Sequence, residues 1–261
     1  MHYKKSEIYI KELNRNARLY VGLPDDYETS EKRYPVLYMH DGHNVFSDED
    51  SFSGVSWGLI EAYEKDKSLP DIIVVALECA NGLNRFDEYS PFEITHPSFA
   101  EYSHNTKAGG KGDSYLKYLI EVLKKEIDLK YRTLSDKENT GIMGSSMGGV
   151  ISLYAGLKYN NVFSRIGAVS GSYFVALESM LNAIETSDLK NINKLYMDIG
   201  TKEAGVGENT DYIQANKEVY KALSEKLETD KLKFKTIEGG IHHESEWRKR
   251  LPGIIKYLFS N

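Results

Sequence analysis

Short apolar runs of strand length alternate with longer segments of helical period along most of this chain. No other feature narrows its fold so far. The runs PVLYMHD, DIIVVALEC, TGIMGSS, FSRIGAVSG, KLYMDIG and KFKTIEGG are mostly apolar and bounded by turn residues, the pattern of strands buried on both faces. Helical patterns lie over 55–65, 113–127, 147–158, 173–186, 211–229 and 244–258. Strand then helix, repeated, implies right-handed βαβ crossovers and a mostly parallel sheet covered by helices on both faces. EIYIKEL and RLYVGLP alternate in period two around NRNA and are expected to pair as an antiparallel hairpin at one edge. The fold class is therefore α/β, with a central sheet of about eight strands.

No repeat, low-complexity tract or Pro/Gly/Ser-rich linker interrupts the pattern, so residues 1–261 read as a single domain. An apolar fraction of 41% and a charged fraction of 28% suit a folded core and not a disordered chain. The net charge of -6 and a pI near 5.7 repel phosphate, which argues against nucleic acid and anionic membranes as partners. No stretch of about 18 apolar residues and no apolar leader core is present, so a soluble, cytoplasmic protein without membrane insertion is expected. The single cysteine, Cys79, excludes an intramolecular disulfide and reads as a buried, inert thiol. No Cys/His set has zinc spacing, and GGKGD lacks the spacing of a phosphate loop. Neither a metal nor a cofactor is expected. The longest irregular region, 80–112, is expected to be functional.

Gly144-Ser145-Ser146-Met147-Gly148 fits G-x-S-x-G between a strand and a helix, the setting of a nucleophile elbow. Such a turn lifts Ser146 Oγ clear of the sheet and places the Met147 N–H at the helix start, where it can face an oxyanion. In the chain order serine, acid, histidine, the base must follow Ser146, which restricts it to His242 or His243 in EGGIHHESEW. His40 reads as a core histidine, His2, His96 and His104 as loop residues, and His43 as a structural or substrate-lining one. Glu203, three residues after Gly200, is the better placed acid. Asp198 competes from within the strand but suits a structural role, and Asp211 suits a helix N-cap. The second oxyanion donor is expected from HDGHNVF, at Gly42 or His43, with glycine permitting the backbone geometry.

VLYMHDGHNVF, RFDEYSPF, GKGDSYLKYLI, TGIMGSSMGGVISLYAGLKYNNVFSRIGAVSGSYF, LYMDIGTKE and GGIHHESEWRKRLPGIIKYLF together resemble the esterase D-like branch of the α/β-hydrolases. That branch is similar to S-formylglutathione hydrolase, siderophore esterases and feruloyl or acetyl-xylan esterases. The resemblance covers roughly residues 7–258 and implies an α/β-hydrolase fold without a large cap domain. It places the nucleophile on Ser146, the acid on Glu203 and the base on His242 in an H-x-E-x-x-W pattern, with Trp247 as a packing residue. The cleft would then lie among loops near 43–57, 81–112 and 172–180, where Asn44, Trp57 and Arg85 are candidate substrate-lining residues. An exposed surface role for Arg85 is the competing expectation. The implied activity is metal-independent hydrolysis of a small-molecule carboxylic ester through an acyl-enzyme. A thioesterase, an acyltransferase, a siderophore-ester hydrolase and a non-catalytic binding protein are the alternatives. A homodimer is compatible with all of them.

Overall fold

Eight strands form one sheet in the order β1-β2-β4-β3-β5-β6-β7-β8. The computed structural model describes residues 1–104, 106–203 and 210–260. The strands are β1 (His2–Ile10), β2 (Arg15–Leu23), β3 (Val36–Met39), β4 (Ile73–Leu77), β5 (Thr140–Ser145), β6 (Arg165–Val169), β7 (Lys194–Lys202) and β8 (Leu232–Ile241). β1 runs antiparallel to β2 and β2 antiparallel to β4, while every pairing from β4 through β8 is parallel.

The central strands are apolar at successive residues because both of their faces are covered. Val36, Tyr38, Ile73, Val75 and Ile142 pack into one hydrophobic cluster, while the alternating Leu37, Met39, Val74, Ala76 and Met143 pack into a second one. Side chains on a strand alternate between faces, so two apolar layers demand an uninterrupted apolar run. The covering helices among the described residues are α1 (Leu59–Lys65), α2 (Leu83–Tyr89), α3 (Pro97–Tyr102), α4 (Gly112–Tyr118), α5 (Lys124–Lys130), α6 (Met147–Lys158), α7 (Leu177–Thr186), α8 (Thr210–Ser224) and α9 (Glu244–Phe259). A π turn over Leu119–Leu123 joins α4 to α5.

Boundaries differ from the sequence expectation where local geometry decides. The hairpin turns through a 3-10 segment, Lys11–Leu13, and Asn14 at φ 49°, three residues earlier than NRNA. Asparagine tolerates that left-handed conformation. The helix expected from residue 55 begins only at Leu59, after Gly58 at φ 62°. The helix expected over 173–186 opens with a 3-10 segment, Tyr173–Ala176. Region 80–112, expected to be irregular, contains α2 and α3. They are six or seven residues long, too short for a periodic signal to stand out. The C-terminal ends of β3, β5, β7 and β8 meet on one side of the sheet, where ligands of open α/β sheets are bound.

Candidate active site

Ser146 joins β5 to α6 with φ 60° and ψ −124°, a conformation that costs a non-glycine residue free energy. Its neighbours make the turn feasible. A Cβ on Gly144 would lie 2.8 Å from the backbone of Gly148 and 2.9 Å from the His40 ring, so strand and helix approach too closely for any side chain there. The Ser146 carbonyl accepts N–H bonds from Gly149, Val150 and Ser172, and the Ser146 N–H donates to Val169. Met147, the first residue of α6, has no carbonyl one turn earlier in the helix to receive its N–H, which sits at the positive end of the helix dipole.

Glu203 and His242 follow the ends of β7 and β8 and meet at 2.6 Å, Oε2 to Nδ1. The other oxygen, Oε1, accepts from the Gly200 N–H at 2.6 Å and from the Ser170 hydroxyl at 2.8 Å. Burial pushes the Glu203 carboxyl up, but the His242 contact and the Gly200 and Ser170 bonds outweigh it and hold the group below the ordinary carboxylate range. An ionised Glu203 fixes the proton of neutral His242 on Nδ1 and leaves Nε2 as an acceptor. The His242 ring stands edge-on to Trp247 at 5.0 Å.

The geometry separates residues that the sequence left competing. His243 Nδ1 accepts the Ser245 N–H at 3.1 Å as the N-cap of α9, so it turns away from Glu203. Asp198 is fully buried, 2.8 Å from Arg250 Nε, and accepts from the Tyr196 hydroxyl at 2.9 Å and the Ser170 N–H at 3.2 Å. Asp211 lies in the first turn of α8, which starts at Thr210, and faces His96 at 3.7 Å. His40 Nδ1 meets the Tyr115 hydroxyl at 2.8 Å, and burial brings its pKa down to about 3, so it is a neutral core histidine. Cys79 is half-buried, and burial pushes its thiol up.

In the loop after β3 the left-handed residue is Asp41, at φ 53°, and not Gly42. Gly42 is needed for a different reason: a Cβ would lie 2.7 Å from the Ala76 carbonyl oxygen of β4. Both Gly42 and His43 open a 3-10 turn, Gly42–Asn44, and so carry N–H groups with no acceptor in that turn. Burial lowers the His43 pKa, and its Nδ1 has no hydrogen-bond partner among the described residues. Arg85 is not a free surface cation. Its Nε and Nη2 each donate at 2.8 Å to the Asp41 carboxylate. Asn44 is spent on its own loop, accepting from the Ser51 hydroxyl and the Phe52 N–H and donating to Glu244. Trp57 is buried and stacks on Trp247, which packs against the His242 ring, and it does not line the cleft beside Ser146.

Beside Ser146 lies a cleft of about 200 Å³ whose walls are Phe86, Phe99, Tyr102, Phe174 and Val175, with Arg85 at its margin. Of these, only Arg85 was legible in the sequence, because the aromatic residues come from α2, α3 and the 3-10 segment after β6, which carry no motif. Ser172 and Tyr212, which touch the Ser146–His242 region, were also not foreseen. A wider groove of about 910 Å³ between α7 and α8 shares no lining residue with this cleft and is walled by glutamates and lysines. Among the described residues no cluster of His, Cys, Asp and Glu is arranged to hold a metal ion. No helix among them is long and apolar enough to cross a membrane.

The chain matches the family described as "Putative esterase" over residues 10–258. It is 29% identical to the uncharacterized protein YbbA of Bacillus subtilis (strain 168), covering 94% of this chain and 93% of that protein. A solved ferulic acid esterase superposes with a TM-score of 0.71 at 18% identity, covering 98% of both chains. The enterobactin esterase FES from Shigella flexneri superposes with a TM-score of 0.73 at 20% identity, covering 98% of this chain and 58% of that one. These structural likenesses establish the shared fold. Because the family match runs from the end of β1 to the last turn of α9, the chain belongs to this esterase family and is an α/β-hydrolase-fold carboxylic ester hydrolase.

Proposed function

We propose that Ser146 attacks the ester carbonyl, His242 moves the proton, Glu203 orients and stabilises the imidazole, and the N–H groups of Met147 and of Gly42 or His43 hold the oxyanion. The observation that carries this reading is the His242–Glu203 contact of 2.6 Å past the ends of β8 and β7, on the same edge of the sheet as the strained Ser146 turn. Attack forms a bond from Ser146 Oγ to the acyl carbon. The proton taken by His242 returns to the departing alcohol, and a water activated by the same imidazole releases the acid. The ionised, buried Glu203 favours the imidazolium formed in both halves of the cycle.

The cleft favours an acyl group with a flat apolar part. Four aromatic side chains and Val175 surround about 200 Å³, enough for one ring and a short linker, and the Arg85 guanidinium offers a polar contact at the margin. The printed names of the structural relatives, a ferulic acid esterase and an enterobactin esterase, are consistent with aromatic acyl esters as the substrate class. The reading places this work in one domain, on a small ester and without nucleic acid. The single cysteine suits a reducing, cytoplasmic compartment. Hydrolysis of p-nitrophenyl acetate and butyrate tests the assignment. Ser146→Ala and His242→Ala are expected to lose on the order of 10³-fold or more in kcat, while His243→Ala keeps it. Activity in Ser146→Ala equal to wild type would overturn it.

A further inference from the structure

Oxyanion donors and base must act on one tetrahedral centre, yet they come from opposite ends of this chain. The Gly42–Asn44 turn follows β3, whereas His242 follows β8. A side-chain bond joins the two regions: Asn44 Nδ2 donates to Glu244 Oε1 at 3.1 Å across 200 residues of sequence.

The turn is held at both of its ends. Before it, the Asp41 N–H donates to the buried Tyr89 hydroxyl at 3.0 Å, and the Asp41 carboxylate is paired with Arg85. After it, the Asn44 carbonyl accepts the Trp57 N–H at 2.7 Å. Asn44 itself is buried, and its Oδ1 accepts from the Phe52 N–H at 3.0 Å and the Ser51 hydroxyl at 3.1 Å. A backbone N–H can only donate, so the atom facing Phe52 is the amide oxygen and the atom facing Glu244 is the amide nitrogen.

Glu244 is fixed from the other side. It is the first residue of α9, where the positive end of the helix dipole favours a carboxylate. His243 caps the same helix, and Trp247, one turn on, stands edge-on to the His242 ring. The second Glu244 oxygen faces the Ser53 hydroxyl at 3.4 Å. The anion that receives Asn44 therefore belongs to the rigid helix start that also carries the base.

We infer that the Asn44–Glu244 bond is a clasp that fixes the oxyanion turn relative to His242, which makes Asn44 and Glu244 positioning residues for ester hydrolysis; the inference rests on the oxyanion and base assignments above. Neither side chain touches the ester. The clasp keeps the N–H groups of Gly42 and His43 at a set distance from the imidazole, so that the oxygen they hold and the proton His242 moves belong to the same acyl carbon.

The test is a donor–acceptor exchange. Asn44→Asp keeps the oxygen that Ser51 and Phe52 use but sets a second carboxylate against Glu244. Adding Glu244→Gln restores a donor opposite an acceptor. Asn44→Asp should lower kcat for p-nitrophenyl acetate by about 10- to 100-fold with KM within about threefold, the cost of displacing a catalytic group by about 1 Å. The oxyanion forms in both acylation and deacylation, so kcat falls whichever step limits it. Inhibition by a phenyl trifluoromethyl ketone should weaken by a similar factor. Ser146 Oγ adds to the ketone carbon, the serine proton goes to His242, and the carbonyl oxygen becomes the anion, so this affinity reads the oxyanion site. Glu244→Gln alone, whose amide oxygen still accepts from Asn44, and the double variant should both stay within about threefold of wild type when measured well below their melting temperatures. A wild-type kcat in Asn44→Asp, an undiminished loss in the double variant, or a fall in kcat with unchanged ketone affinity would overturn the clasp. If Asn44→Asp does not fold, Glu244→Ala compared with Glu244→Gln decides by the same two readouts. Weak ketone binding in Ser146→Ala together with wild-type behaviour of Asn44→Asp would remove the clasp and leave the nucleophile. Ketone binding in Ser146→Ala as tight as in wild type would remove both.

Discussion

Replacing Arg85 by methionine should destabilise the protein chiefly through Asp41, whose carboxylate would remain buried without its counter-ion. The Asp41 and Arg85 side chains are 10% and 23% exposed, so solvent screens the pair only weakly. Burial pushes the Asp41 carboxyl up, but the Arg85 charge and its two hydrogen bonds bring it to about 2, against an ordinary 3.8. That difference corresponds to about 2 kcal/mol in favour of the folded, ionised state. The folded pKa is depressed, so the contribution is complete above about pH 4 and lost as pH falls toward 2. In Arg85→Met the burial effect is opposed only by weaker influences, the Cys79 thiol hydrogen bond and His43, and breaking a buried pair from one side costs about 3–5 kcal/mol. For a chain of this size that is a fall in Tm on the order of 10 °C at pH 7. The Asp41 carboxyl of the variant should then bind a proton at a higher pH than in the wild type, so the gap in Tm should narrow between pH 7 and pH 4. Circular dichroism melts across that range, with Asp41→Asn/Arg85→Met expected to recover much of the loss, provide the assay. An Arg85→Met protein that melts within about 2 °C of wild type at pH 7, or a gap that widens in acid, would refute the reasoning.

Glu203→Gln keeps the shape of the side chain but not its charge; kcat should fall by about 10²- to 10⁴-fold with little change in Tm, measured by ester hydrolysis and thermal melts. Asp198→Asn should show the reverse, because it leaves Arg250 buried without its anion: Tm should fall by several degrees, while the protein that remains folded keeps most of its kcat. Gly144→Ala puts a methyl group 2.8 Å from the Gly148 backbone, where no side chain can yield. A loss of about 1–3 kcal/mol or more in stability is expected, with esterase activity falling alongside it, and urea unfolding would measure the first.

The fold was legible because its signal is carried by many residues at once. β3 and β4 are buried at every position, and each is a continuous apolar run. Ser146 was legible for a related reason, since the approach of α6 to β5 excludes a side chain at Gly144 and leaves a recognisable pattern. Where a role depends on one long-range contact, the sequence carries little trace of it. Arg85 looked like a surface cation because nothing in its neighbourhood marks Asp41, 44 residues away, as its partner. Asn44 and Trp57 were placed in the right loop, but side-chain direction decides between cleft and interior, and both point inward. Ser172 and Tyr212 stand in SGSYF and TDYIQ, which have no spacing rule to betray them, and long-range contacts such as those of Asn216 and the Ser172 N–H to the Ser146 carbonyl bring them beside Ser146.

The two acidic candidates at the end of β7 show why proximity in sequence could not settle the site. Asp198, within the strand, points into the layer where Arg250, Tyr196 and the Ser170 N–H occupy its oxygens. Glu203 lies past the strand end, where its longer side chain gives one oxygen to the Gly200 N–H and Ser170 and the other to His242. Ser170 bonds both carboxylates and also accepts from Trp247 Nε1, which packs edge-on to the His242 ring. The Asp198–Arg250 pair therefore supports the floor on which Glu203 and His242 are aligned, and does so without touching the imidazole. A carboxylate that needed only to be near the histidine could stand at either position. One that must hold a single imidazole tautomer while staying ionised in a buried setting needs its second oxygen saturated by donors, and of the two it is Glu203 that has both the donors and the reach.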